Sequence, residues 1–344
     1  MPTKQPIRFY ENEIGGEPMQ LEPGIYDLPF SDYVRIDAMN FHTLKEVLKS
    51  PLHLKAAIDG LRKPDTDTFR LGRAIHSSVL TPQLFSKEFA VSDGCCQSLK
   101  SGARKGQSCG KSARWTIDNV NYFCGTHKPA GSREASDVLT FAEMTTVIEV
   151  SNTIRNHPAA FSLNDEGQPE ATIVFDHSGV RCKARCDWLS HGHFVDLKKC
   201  QPGTTDDRSV LSAIAKYGYH QQLAFYSLAV ESVQGFMPTC ELIFAEDSAP
   251  YDVVSMPLDS QSIAIGLAEV EQMLATYKRC KVDGKWPGMH DRTVSIETGQ
   301  VRRGGLPKWK RDEAVSMGLV SEDSWPDEAL RGVEMPPVLT GFDQ

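Results

Sequence analysis

The chain has 344 residues and a formal net charge of −8, with 37 Lys and Arg against 45 Asp and Glu. That length can bury one large core and carry an embellishment, and the acidic balance excludes a broadly basic, non-specific nucleic-acid binder while leaving a local basic groove open. No apolar run is long enough to span a bilayer and no charged-then-apolar leader opens the chain, so a cytoplasmic protein without a membrane partner is expected, its nine cysteines reduced unless they bind metal.

Residues 1–30 are polar and broken by Pro2, Pro6, Pro18, Pro23 and Pro29, which predicts an irregular arm. Residues 37–49 carry Leu44, Val47 and Leu48 at helical spacing, and Ser50-Pro51 opens a second helix through residue 58. Residues 68–80 predict a compact helix with Phe69, Ile75 and Val79 on its apolar side and His76 one turn from Gly72.

An insertion occupies residues 93–128. Cys96, Cys109, Cys124 and His127 are separated by twelve, fourteen and two residues. Cys124-Gly-Thr-His127 has zinc-knuckle spacing and Cys96 with Cys109 can complete a closed Cys3His site for structural Zn²⁺, with Cys95 a competing first ligand. A segment this poor in large apolar residues needs such a staple to fold. The alternatives are a loop with reduced thiols and an iron–sulfur cluster, the latter disfavoured by the histidine. Lys100, Arg104, Lys105, Lys111, Arg114 and Lys128 outnumber Asp93 and Asp118 here, with Trp115, Tyr122 and Phe123 interleaved. That composition suits a DNA backbone or an exposed base as well as it suits a solvated face around a zinc staple.

Residues 132–157 predict a long helix capped by Ser132 and ended by Pro158. Residues 169–175 predict a strand. From Val180 to Trp188 one face carries Val180, Cys182, Ala184, Cys186 and Trp188, and the other Arg181, Lys183, Arg185 and Asp187, the period of a half-buried strand. A turn through Gly192 leads to a second strand, residues 194–198, where Asp196 and Lys198 share a face. Hairpin pairing brings Asp187 near Asp196, and two converging carboxylates call for a cation between them, Mg²⁺ or Mn²⁺ for oxygen ligands. A lysine beside such an ion can position water or neutralise charge on a phosphate, which points to phosphodiester hydrolysis. Asp207 is expected to cap a helix through residue 215, and residues 217–231 form another on which Gln222 and Tyr226 share a face. Strands at 240–246 and 251–257 and an amphipathic helix at 259–277 complete an α/β chain; Trp286-Pro287 ends the core, and residues 290–344 form an extension.

The stretches GVRCKARCDWL, FVDLKK and YGYHQQLAFYS resemble the core of the PD-(D/E)XK nuclease superfamily, and are most similar to its RecE-type (exonuclease VIII-like) phage and prophage branch. The likeness runs from about Tyr33 to about Trp309 apart from the insertion, with Cys186 replacing a usual proline and Lys199-Cys200 a usual Thr-Thr. It implies a restriction-endonuclease-like core, a mixed sheet flanked by helices, over residues 31–92 and 129–289. It implies that the histidine of Gly72-Arg-Ala-Ile-His76 joins Asp187, Asp196 and the Leu197 carbonyl around Mg²⁺ or Mn²⁺. Glu170 is then an additional acid, Lys198 the water-positioning group, and Gln222 and Tyr226 its neighbours. Arg73, Arg181, Lys183, Arg185 and Lys199 are the candidate DNA contacts. The implied activity is a 5′→3′ exonuclease on linear double-stranded DNA ends that leaves 3′ tails for recombination. A RecT-like annealing partner and a ring-like homo-oligomer are implied too, in a bacterial host's cytoplasm. The competing readings are an endonucleolytic or Cas4-like nuclease, and a non-catalytic DNA-binding protein that keeps the fold.

Overall fold

A computed structural model of the protein describes residues 17–61, 67–95, 97–111, 113–135, 137–158, 163, 167–289 and 316. The chain divides into two units, 1–289 and 290–344, and the elements named here all belong to the first. The Leu306–Trp309 motif lies outside the described residues.

In chain order the elements are β1 (Gly24–Tyr26), α1 (Phe30–Arg35), α2 (Phe41–Leu44) running into a 3-10 turn (Lys45–Leu48), α3 (Pro51–Ile58), α4 (Asp67–Leu80) and α5 (Pro82–Glu88). Five two-residue strands follow or frame the insertion: β2 (Ala90–Val91), β3 (Trp115–Thr116), β4 (Tyr122–Phe123), β5 (Arg133–Glu134) and β6 (Val138–Leu139). Then come α6 (Phe141–Asn156), β7 (Gln168–His177), β8 (Val180–Ser190), β9 (His193–Cys200), α7 (Asp207–Tyr217), α8 (Tyr219–Gln234), β10 (Thr239–Glu246), β11 (Val253–Pro257) and α9 (Ser260–Asp283).

The central sheet is mixed, in the order β1-β7-β8-β9-β10-β11; β9 and β10 run parallel and every other pair antiparallel. Both faces are covered, which is what a parallel pair needs. On one face Phe175, Phe194, Leu242 and Phe244 pack under α8 and α9 with Leu223, Phe225 and Leu274. On the other, Val195, Leu197, Ile243 and Ala245 pack under α4 and α6 with Ile75, Leu139, Val147 and Ile154. Phe175, Phe194 and Phe225 are fully buried, each worth about 1.5–3 kcal/mol relative to exposure.

The helix starts have identifiable caps. Asn40, Ser50, Asp206 and Asp259 accept the backbone N–H of Thr43, His53, Ser209 and Ser262. The helix expected from residue 132 begins only at Phe141: Thr140 and Glu143 form a capping box there, and residues 133–134 and 138–139 are extended. Gly218, left-handed at φ +67, breaks α7 from α8 where a single helix start at 217 was expected.

The N-terminal segment differs most from expectation, because it adds an edge strand, β1 on β7, and a short helix. The cause is on β8. Arg181 donates to the Leu21 carbonyl. Lys183 donates to the carbonyls of Tyr33 (2.9 Å), Val34 (3.2 Å) and Ile36 (2.7 Å), closing the C-terminal end of α1. Arg185 donates to the Leu28 carbonyl at 2.7 Å. The charged face of the alternating strand thus holds residues 21–36 against the sheet. Burial draws the Lys183 pKa down to about 8, against the opposing pull of Asp37. Replacing Lys183 with Ala strands three carbonyls and is expected to lower stability by about 2–3 kcal/mol in urea denaturation; an unchanged midpoint would mean the clamp carries no weight.

Candidate active site

The site forms where the β8–β9 ladder stops. Trp188↔Val195, Leu189↔Phe194 and Ser190↔His193 are paired; the next rung would set Asp187 opposite Asp196, and it is absent. The strands separate there, and the freed Leu197 N–H donates instead to Asp187 Oδ2 at 2.6 Å. β8 also changes face at this point. Cys186 packs on the α8 side and Trp188 on the α4/α6 side, although strict alternation would put both on one face.

Asp196 points toward α8. Gln222 Nε2 donates to Asp196 Oδ1 at 2.8 Å, while Gln222 Oε1 accepts from Lys198 Nζ at 3.0 Å. Lys198 closes this ring with an ion pair to Asp196 Oδ2, and its ammonium lies 4.8 Å from the centre of the Tyr219 ring. Burial favours a neutral amine, but Asp196 and Asp187 outweigh it and hold the Lys198 pKa above its ordinary value. Asp196 is 2 % exposed, and the Lys198 ammonium is the partner of its Oδ2.

A second group converges from the other side. His76, on α4, Glu170, on β7, and Asp187 each present a ligand atom, all within 4.8 Å of one another, with His76 Nδ1 3.5 Å from Asp187 Oδ2. Helix α4 is fixed by buried Ala74 and Ile75 and by the Arg70–Glu143 ion pair to α6. Glu170 takes a left-handed backbone, φ +52, in mid-strand, a conformation a non-glycine residue holds only when its surroundings impose it. Arg185 Nε donates to Glu170 Oε2 and Arg185 Nη1 to Thr172 Oγ1, so Arg185 anchors the acid.

The five residues expected to contact DNA are otherwise engaged. Arg181 pairs with Asp176 as well as Leu21, Lys199 with Asp247 at 2.5 Å and Arg73 with Asp137 at 2.5 Å. Lys183 is 4 % exposed and committed to α1, and Arg185 to Glu170. For Lys183 and Arg185 the cause is a simple constraint: buried carbonyls and carboxylates left without water require donors, and these cations supply them, whereas Arg73 and Arg181 stay partly exposed in their ion pairs. Tyr226 packs on Phe194 in the core, and burial first, then Tyr33, Asp196 and Asp187, keep its phenol well above its usual pKa; Tyr219 is the tyrosine whose ring meets Lys198. Among the expected metal ligands, His76 and Asp187 group with Glu170, the Leu197 amide donates to Asp187, and Asp196 turns to Gln222 and Lys198. In the insertion, Cys109, Cys124 and His127 cluster with Cys95, while Cys96 lies outside the described residues.

The donor set fits a hard divalent cation: the two carboxylates of Glu170 and Asp187 and the imidazole of His76, converging on one place. Burial foremost, then Asp196 and Glu170, push the Asp187 pKa up to about 7 against His76 and Lys198. From about pH 4, where the carboxyl of the unfolded chain ionises, up to about pH 7, the folded metal-free protein keeps a proton the unfolded chain has released. Stability from this group is therefore full below pH 4 and lost as pH rises to 7. Asp187→Asn is expected to raise the thermal midpoint of metal-free protein at pH 8, with the gain shrinking toward pH 4; equal midpoints at pH 8 would contradict a penalised buried charge.

The sequence family described as a PDDEXK-like domain of unknown function (DUF3799) matches residues 41–296. No curated protein matches the sequence significantly. Among solved structures, a proposed exonuclease of Eubacterium rectale is similar at a TM-score of 0.53 and 15% identity, covering 86% of this chain and 99% of that one, which establishes a shared fold. With its mixed sheet and the acids at the separated strands, the chain belongs to the PDDEXK-like DUF3799 family.

Proposed function

We propose that the protein is a divalent-metal-dependent deoxyribonuclease. The observation that carries this reading is that Asp187 and Asp196 stand where the β8–β9 ladder ends, with Lys198 held beside Asp196 by Gln222. His76, Glu170 and Asp187 would hold Mg²⁺ or Mn²⁺, which supplies Lewis-acid stabilisation of charge on the scissile phosphate.

The protein's own groups do the rest. Gln222 fixes the Lys198 ammonium by accepting one of its protons, and the Tyr219 ring face stabilises its charge. The remaining N–H of Lys198 can orient a water or meet a phosphate oxygen, and the raised pKa keeps the ammonium charged. Arg185 holds Glu170, and the Leu197 amide holds one oxygen of Asp187, so both acids are positioned before substrate arrives.

The finer reading is an exonuclease working 5′→3′ from ends of linear duplex and leaving 3′ tails for recombination. It includes a ring-like homo-oligomer and a RecT-like annealing partner in a bacterial cytoplasm, the gene being of phage or prophage origin. Its support is the resemblance of GVRCKARCDWL, FVDLKK and YGYHQQLAFYS to RecE-type enzymes.

The test is digestion of linear and covalently closed circular duplex DNA with Mg²⁺. The linear form is expected to be consumed and the circle spared. Lys198→Ala and Asp196→Ala should each lower the rate by about 10²–10⁴-fold, whereas Lys199→Ala, whose side chain is tied to Asp247, should leave it near the parental value. Cleavage of the circle would replace the exonuclease with an endonuclease, and parental rates in the Lys198 and Asp196 variants would overturn the nuclease reading.

A further inference from the structure

The insertion leaves the core at β2 and returns at β6, which pair in parallel as its neck, Ala90↔Val138 and Val91↔Leu139. Between them lies a three-stranded sheet in the order β4-β3-β5 and a loop pair bridged at Ser98↔Ser108. Its interior has little to hold it. Among the described residues the buried apolar side chains are Cys95, Cys109, Ala113, Tyr122, Cys124 and Val138, with Leu99 and Phe123 partly buried against them. A sheet of two-residue strands over so small an apolar centre is not self-supporting.

Three cysteine sulfurs and His127 Nδ1 occupy that centre, all within 4.8 Å of one another. Cys95 Sγ is 3.6 Å and Cys124 Sγ 3.4 Å from the same Nδ1. A neutral imidazole nitrogen has a single lone pair and cannot accept from two thiols at once. A tetrahedral centre with Zn–S of about 2.3 Å and Zn–N of about 2.0 Å separates sulfur from nitrogen by about 3.5 Å, which both distances match. The loops are pinned together by Cys95 N–H to Lys111 O at 2.8 Å and Cys109 N–H to Gln97 O at 2.9 Å. Gly94, at φ +109, lets them approach, since a Cβ there would lie 3.0 Å from Lys111 O.

We propose that Cys95, Cys109, Cys124 and His127 bind one Zn²⁺ as a closed structural site, and that Cys95 rather than its neighbour Cys96 is the first ligand. Three thiolates select a borderline-soft ion over the hard cations that suit the carboxylate site. Four protein ligands leave no open position, so the ion acts as the core of the insertion and not in chemistry. The assignment stands whether or not the protein is a nuclease.

The test is metal analysis of the full-length protein, purified under reducing conditions in an Asp187→Asn background so that the active-site carboxylates do not hold a second ion. About one zinc per chain is expected. Cys96→Ser should keep it; Cys95→Ser, Cys109→Ser, Cys124→Ser and His127→Ala should each lose it. Should those four fail to accumulate, cobalt substitution of the Cys96→Ser protein decides: tetrahedral d–d bands with intense thiolate charge transfer support the site. Zinc lost from Cys96→Ser but kept in Cys95→Ser overturns the ligand assignment. Iron in place of zinc, no metal, or an octahedral cobalt spectrum overturns the site.

Discussion

The structure depends on a rung missing from a β-ladder. Had β8 and β9 paired one residue further, Asp187 and Asp196 would face each other across a regular sheet, and two like charges opposite one another oppose that pairing. The strands part instead, and each acid takes a different partner: Asp187 the Leu197 amide and His76, Asp196 the Gln222 amide and Lys198. One carboxylate thus serves each face of the sheet, and the gap between them opens onto a site assembled from α4, β7, β8, β9 and α8. A buried charge without compensation costs several kcal/mol, so the cluster is tolerable only because positive groups and amides surround it, and its remaining excess of negative charge creates the demand for a cation.

Positive charge elsewhere on β8 does a different task with the same physics. Arg181, Lys183 and Arg185 stand two residues apart on one face and cover carbonyls of the N-terminal segment. Arg185 links the two tasks, since the same guanidinium holds both the Leu28 carbonyl and Glu170. The attachment of residues 21–36 and the geometry of the acidic group are in this way coupled through one side chain.

Much of the site could be read from sequence because its signals are local. The two-residue offset of Asp196 and Lys198 fixes their shared face in any strand; helical spacing puts His76 on a helix, and its place at the acids is implied only by the family resemblance of Gly72-Arg-Ala-Ile-His76. The rest depends on contacts between distant segments. Alternation marks the Arg181, Lys183 and Arg185 face as polar but cannot say whether water, DNA or the protein's own carbonyls lie over it. Nothing local announces that Glu170 adopts a left-handed backbone, or that β8 changes face between Cys186 and Trp188. Spacing alone leaves Cys95 and Cys96 equivalent; the position of the Cys95 sulfur beside Cys109, Cys124 and His127 is a tertiary fact. Thr140 and Glu143 did carry a readable helix start, in the capping-box pattern, which the helical spacing around it obscured.

On the proposed function, the parted strands gather a divalent ion between His76, Glu170 and Asp187. Anomalous scattering from crystals of the protein grown with Mn²⁺ tests it most directly. A single strong peak coordinated by those three side chains, with Lys198 still bonded to Gln222, is the predicted result; Mn²⁺ absent there, or bound with Glu170 and His76 turned away from Asp187, would contradict it.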